Sequence, residues 1–74
     1  MHVRVPDNRH PGIKQICKFF ATDHLTPHLR VQADRCAELA QAMVLDEALD
    51  GPELTTGLRK LLEAKDCFVR AALD

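Results

Sequence analysis

Residues 26–45 read TPHLRVQADRCAELAQAMVL, and the way this stretch starts and repeats decides the fold. Thr26 offers an N-cap hydroxyl, and Pro27 follows at the first helical position, where its missing N–H costs nothing. Leu29, Ala33, Cys36, Ala40 and Met43 then recur at steps of 4, 3, 4 and 3. That is a seam narrow enough to pack against another helix at close range, widened by Leu39 and Val44. The spacing predicts a helix from about Pro27 to Leu45, roughly 28 Å long at about 1.5 Å per residue.

Downstream, Asp46-Glu47-Ala48-Leu49-Asp50-Gly51 reads as a short connection. Asp50-Gly51-Pro52-Glu53 is a second helix start, with an Asp cap, a first-turn proline and a Glu three residues on, the capping-box arrangement. Leu54, Leu58, Leu61, Leu62, Phe68, Val69, Ala72 and Leu73 supply the apolar stripe of a helix reaching the C-terminus. Two long helices joined by a short loop favour an antiparallel hairpin. The second stripe has two rows, Leu58/Leu61/Phe68/Ala72 and Leu62/Val69/Leu73, wider than one facing helix covers. A further helix and a second subunit are the expected covers. Lys65 falls inside the first row, where snorkelling to the surface is the plain expectation and a buried contact between subunits the sharper one.

Upstream, Ile13, Ile16, Cys17 and Phe20 fall at i, i+3, i+4 and i+7, which predicts a short helix over Gly12–Ala21. Residues 1–11, with several charges and Pro6 and Pro11, read as a flexible N-terminal arm. The expectation is all-α: an arm over 1–11 and one helical-hairpin domain over 12–74, completed as a homo-oligomer. A chain of 74 residues buries only about 60% of its unfolded surface, so partner subunits are a natural source of added stability.

At 46% hydrophobic and 28% charged residues, the chain is too apolar to be disordered. Its net charge of −1 gives no global field for wrapping nucleic acid. The charge is unevenly placed, however: residues 36–54 hold Glu38, Asp46, Glu47, Asp50 and Glu53 and no base. Most of the N-terminal charge is basic, and all four histidines (His2, His10, His24, His28) lie there. No run is apolar enough to span a membrane and no leader is legible, so a cytoplasmic protein is expected. Cys17, Cys36 and Cys67 are an odd, widely spaced set, read as reduced thiols. His24 and His28 flank Pro27 at a helix start, cannot share a face, and have no second ligand pair, so no metal is expected. No phosphate loop, nucleophile elbow or oriented Cys/His pair is present, so an enzyme is not expected and no cofactor is implied.

The helix Glu53-Leu-Thr-Thr-Gly-Leu-Arg-Lys-Leu-Leu-Glu-Ala64 resembles the alanine-leucine-x-lysine-leucine-glutamate-glutamate-alanine helix of a phage family. Phe19-Phe20, His24, Pro27, the run Glu38-Leu39-Ala40 and Pro52 extend the likeness over residues 19–73. The family is the hairpin domain of anti-CBASS and anti-Thoeris sponges. This chain differs in having Gly57 where alanine is usual and Leu62 where the first glutamate stands, and around Cys67, Phe68 and Arg70. The resemblance implies a non-enzymatic immune-evasion protein acting in the cytoplasm of an infected bacterium. Such proteins are homo-oligomers, often hexamers, that sequester cyclic di- or trinucleotides or cyclic ADP-ribose isomers in pockets between subunits.

Such a ligand is a compact polyanion with flat bases, and needs cationic groups, helix N-termini and flat or apolar side chains. The candidates are Phe20, His24, Thr26, His28, Arg30 and Arg35, with Thr56, Arg59, Lys60 and Arg70 on the last helix. Each has a plainer alternative: Phe20 as core, His24 as the end of a turn, Arg30 and Arg35 as solvated neighbours of Asp34 and Glu38. The rival reading is a helical-hairpin oligomerisation or adaptor module that binds another protein through the spare stripe. A DNA-binding regulator is disfavoured, because no helix-turn-helix spacing is visible.

Overall fold

Each α-helix of the computed structural model, which describes residues 1–73, begins at a proline. They are α1 (Pro11–Cys17), α2 (Pro27–Leu45) and α3 (Pro52–Leu73), with a 3-10 turn over Lys18–Phe20. The described residues are all-helical and contain no strand. Asp74, the last residue of the expected hairpin domain, lies outside them.

The starts differ from expectation in their chemistry. At α1 the His10 ring Nδ1 accepts from the Gly12 N–H at 2.9 Å. Thr26 has the extended backbone of an N-cap, yet its hydroxyl makes no cap hydrogen bond. Asp50 Oδ1 accepts the N–H of Gly51 at 2.8 Å, not one from the first turn of α3, so no capping box with Glu53 is seen. Gly51 turns the chain into α3 with φ +78°, a left-handed conformation that favours glycine. The first helix is also shorter than expected. After Cys17 the chain tightens, which turns Phe20 fully inward and leaves Phe19 65% exposed.

The core is built from unequal partners. Ile13, Ile16, Cys17 and Phe20 come from α1 and the turn, Ala37, Ala40 and Val44 from α2, and Leu54 and Leu58 from α3. Small residues on α2 let the leucines of α3 and the ring of Phe20 approach closely. The buried arc of α2 is therefore Ala33, Cys36, Ala37, Ala40 and Val44. Leu29 and Met43 of the expected seam are only partly buried, and Leu39 is 46% exposed. The arc is rotated because the 3-10 turn and the N-terminal segment form a third wall. The outer part of the α3 stripe stays uncovered, with Phe68 and Leu73 exposed.

Residues 46–51 join α2 to α3, and at the other end the ring Nε2 of His28 lies 3.0 Å from the Ala72 carbonyl oxygen. The first turn of α2 thus sits beside the last turn of α3. The principal extents are 38 × 19 × 17 Å, with a long axis of the order of the α3 length.

Residues 1–10, expected as part of a flexible arm, are instead tied to the helices. Met1, Val3 and Val5 pack against the core. The Arg4 N–H donates to Gln41 Oε1 at 2.8 Å, and Gln41 Nε2 donates back to the Arg4 carbonyl at 2.8 Å. Arg9 makes the strongest tie. Its Nε donates to the Val44 carbonyl at 3.0 Å, Nη1 to Leu49 at 2.6 Å and Nη2 to Asp46 at 2.7 Å. One guanidinium thereby gathers carbonyls at the end of α2 and in the following loop, the Asp46 carbonyl also accepting the Leu49 N–H at 3.1 Å. Among the described residues, no helix is long and apolar enough to cross a membrane.

Candidate functional site

The turn between Phe20 and α2 is fixed by buried polar chemistry. Thr22 is fully buried; its hydroxyl donates to Asp34 Oδ1 at 2.5 Å and accepts from the Met1 ammonium at 2.8 Å. The ammonium also donates to Asp23 Oδ1 at 2.6 Å, and His2 pairs with the other oxygen. That ammonium hydrogen bond holds the Asp23 carboxyl below the usual carboxylate range; desolvation opposes it, and the charges of the ammonium, His2 and Arg30 add to it. From α2, Arg30 Nη2 donates to the backbone carbonyls of Leu25 at 2.9 Å and Asp23 at 3.4 Å.

So held, the turn presents His24 to solvent beside the second half of α3. His24, Leu25, Lys65, Asp66, Val69 and Arg70 line an open depression of about 170 Å³. Lys65 is buried, 8% exposed, and its Nζ donates to the Phe19 carbonyl at 2.8 Å with Asp66 Oδ1 at 3.3 Å. It does not snorkel outward: a backbone carbonyl of the 3-10 turn supplies a partner within the chain. Thr26, next to Leu25, opens α2 with a hydroxyl that has no hydrogen-bond partner among the described residues and first-turn N–H groups lacking a side-chain cap.

The expected site residues divide into three groups. His24 and Arg70 line the depression, with Thr26 adjoining it. Phe20, Arg30 and His28 are committed elsewhere. Phe20 is 0% exposed in the core and presents no face to a base. Arg30 holds the turn and His28 meets the Ala72 carbonyl, so both position the site rather than offer it a free charge. The remainder lie apart: Arg35 donates to Gln32 at 3.1 Å, while Thr56, Arg59 and Lys60 are exposed on the first half of α3. Lys65 and Asp66 were not among the expected contacts. The sign in the sequence was a lysine on an otherwise apolar row.

A second concavity has the opposite character. Leu39, Met43, Leu49, Leu54, Gly57, Leu58 and Leu61 line an apolar groove of about 420 Å³, with Asp50 and Glu53 at its edge. Carboxylates there repel a phosphate. Among the described residues, no three His, Cys, Asp or Glu side chains are placed to hold a metal ion.

The thiols separate by environment. Burial pushes the Cys17 and Cys36 thiols up from their ordinary range, Lys65 partly opposing this at Cys36, while Cys67 is exposed beside Arg70 Nη2 at 3.4 Å. In the folded protein Ellman's reagent is expected to release one equivalent quickly, from Cys67, and two more only on denaturation. Equal rates for all three would contradict this core. No protein-family model, curated protein or solved structure matches the chain.

Proposed function

We propose that this protein is a non-enzymatic, phage-encoded immune-evasion protein that binds and sequesters cyclic oligonucleotide signals in pockets completed by copies of itself. One observation supports it most: a helix start without a side-chain cap adjoins a depression carrying His24 and Arg70, whose one carboxylate, Asp66, is already paired with Lys65. Helix N–H groups and guanidinium donors suit phosphate oxygens, and Leu25 and Val69 offer apolar surface to a base. At about 170 Å³ the depression is smaller than the roughly 300 Å³ and above typical of ligand pockets. A cyclic dinucleotide therefore needs walls from a second copy, and symmetry then supplies each cation twice. The hairpin of α2 and α3 is the unit that repeats. The resemblance to the sponge family agrees with this reading and supplies the ligand class.

Titration calorimetry against cyclic dinucleotides, cyclic trinucleotides and cyclic ADP-ribose isomers tests it. At least one class should bind. His24→Ala and Arg70→Ala should each weaken binding by about tenfold to a hundredfold, the loss of a charge-assisted hydrogen bond. Arg35→Ala, away from the depression, should change little. No heat with any of these ligands would refute the proposal.

A second reading, an oligomerisation or adaptor module, draws on the apolar groove and the exposed Leu39 and Phe68. Self-assembly without any nucleotide binding would favour it.

A further inference from the structure

We infer that α3 carries a two-fold contact for a second copy of this chain, centred on Gly57. Gly57 lies well inside α3, where glycine is the poorest helix former apart from proline. It is exposed, and an added Cβ there would meet nothing within 4 Å, so packing within the chain gives no reason for a glycine. Glu53, Gly57, Lys60 and Ala64 fall at i, i+4, i+7 and i+11, one face of the helix. Neither Glu53 nor Lys60 has an ion-pair partner among the described residues.

The occupant follows from the order of these charges. Glu53 is about one turn before Gly57 and Lys60 about one turn after it. When a second α3 crosses in the opposite direction at Gly57, Glu53 of each copy meets Lys60 of the other. The pairing is reciprocal, as a two-fold axis requires. The absent side chain at Gly57 permits close approach at the crossing. The apolar groove opens on the same side, lined by Gly57 with Leu39, Met43, Leu54 and Leu61, and the second helix covers it. This contact assigns Lys60 to assembly. It goes beyond the nucleotide reading, and is tested without nucleotide.

Analytical ultracentrifugation of the full chain reads the contact directly. The wild type should associate reversibly above the 8.3 kDa monomer mass. Gly57→Leu should raise the thermal midpoint of the isolated chain, yet weaken association at least about tenfold by filling the crossing point. Those opposite signs separate an interface from a merely structural role. Glu53→Lys and Lys60→Glu should each weaken association by about tenfold, and the double reversal should recover most of the loss. A monomeric wild type overturns the inference. So does Gly57→Leu associating like the wild type, or a double reversal no tighter than either single variant.

Discussion

Phe20→Ala should cost about 3–5 kcal/mol, the range for removing a fully buried aromatic side chain. Phe20 is 0% exposed and stands where the 3-10 turn, α1, α2 and α3 meet. A chain of 74 residues has a total stability of about 4–11 kcal/mol, at about 0.05–0.15 kcal/mol per residue. The variant should therefore lose a large share of that stability. Urea denaturation followed by circular dichroism measures the loss. Phe19→Ala is the matched control: Phe19 is 65% exposed and should cost well under about 1 kcal/mol. Equal losses at the two positions would mean that the turn does not face the core as described.

Arg9→Ala should be nearly as damaging, at about 2–4 kcal/mol. Three carbonyls, of Val44, Asp46 and Leu49, share one guanidinium whose side chain is 8% exposed. Each charge-assisted bond is worth about 1.5–3 kcal/mol, and three on one group do not add in full. Removing the arginine leaves acceptors beside the negative end of α2, which raises the cost. Arg9→Lys should recover little, because one ammonium cannot span three divergent acceptors as a planar fork does. Hydrogen exchange locates the effect: amides near the end of α2 and in the 46–51 connection should lose protection first. Unchanged exchange there would show that Arg9 does not hold the arm to the helices.

Much of the helical order was legible in the sequence because its signals are local. Proline at the start of a helix, the 4-3-4-3 recurrence on α2 and the Asp50–Glu53 stretch mark two helices whose bounds match at Pro27, Leu45 and Pro52. The rest depends on neighbours distant in sequence. The rotation of the α2 face toward Ala37 and Val44 follows from where the 3-10 turn and the N-terminal segment dock. Arg9 finds its acceptors about 35–40 residues away. The tethered N-terminus did carry a trace in the alternation of Met1, Val3 and Val5 with His2 and Arg4, masked by prolines and charge.

The candidate site was legible in part for the same reason. His24 and Arg70 are drawn together only once the turn docks on α3, and residue type alone brought both into consideration. Phe20, His28 and Arg30 have the right chemistry for a nucleotide but are engaged by the fold. Residue type cannot distinguish a free guanidinium from one holding backbone carbonyls. Lys65 shows the converse: its position on an apolar row was visible, and its partner, the Phe19 carbonyl, was not.

The proposal that this protein stores cyclic nucleotides between its own copies is tested most directly by native mass spectrometry. The intact protein is incubated with cyclic dinucleotides and trinucleotides, then desalted. The expected species is a multiple of 8.3 kDa carrying ligand at fewer than one per chain, because each pocket is shared. An 8.3 kDa monomer, or an assembly that emerges with no nucleotide bound, would contradict it.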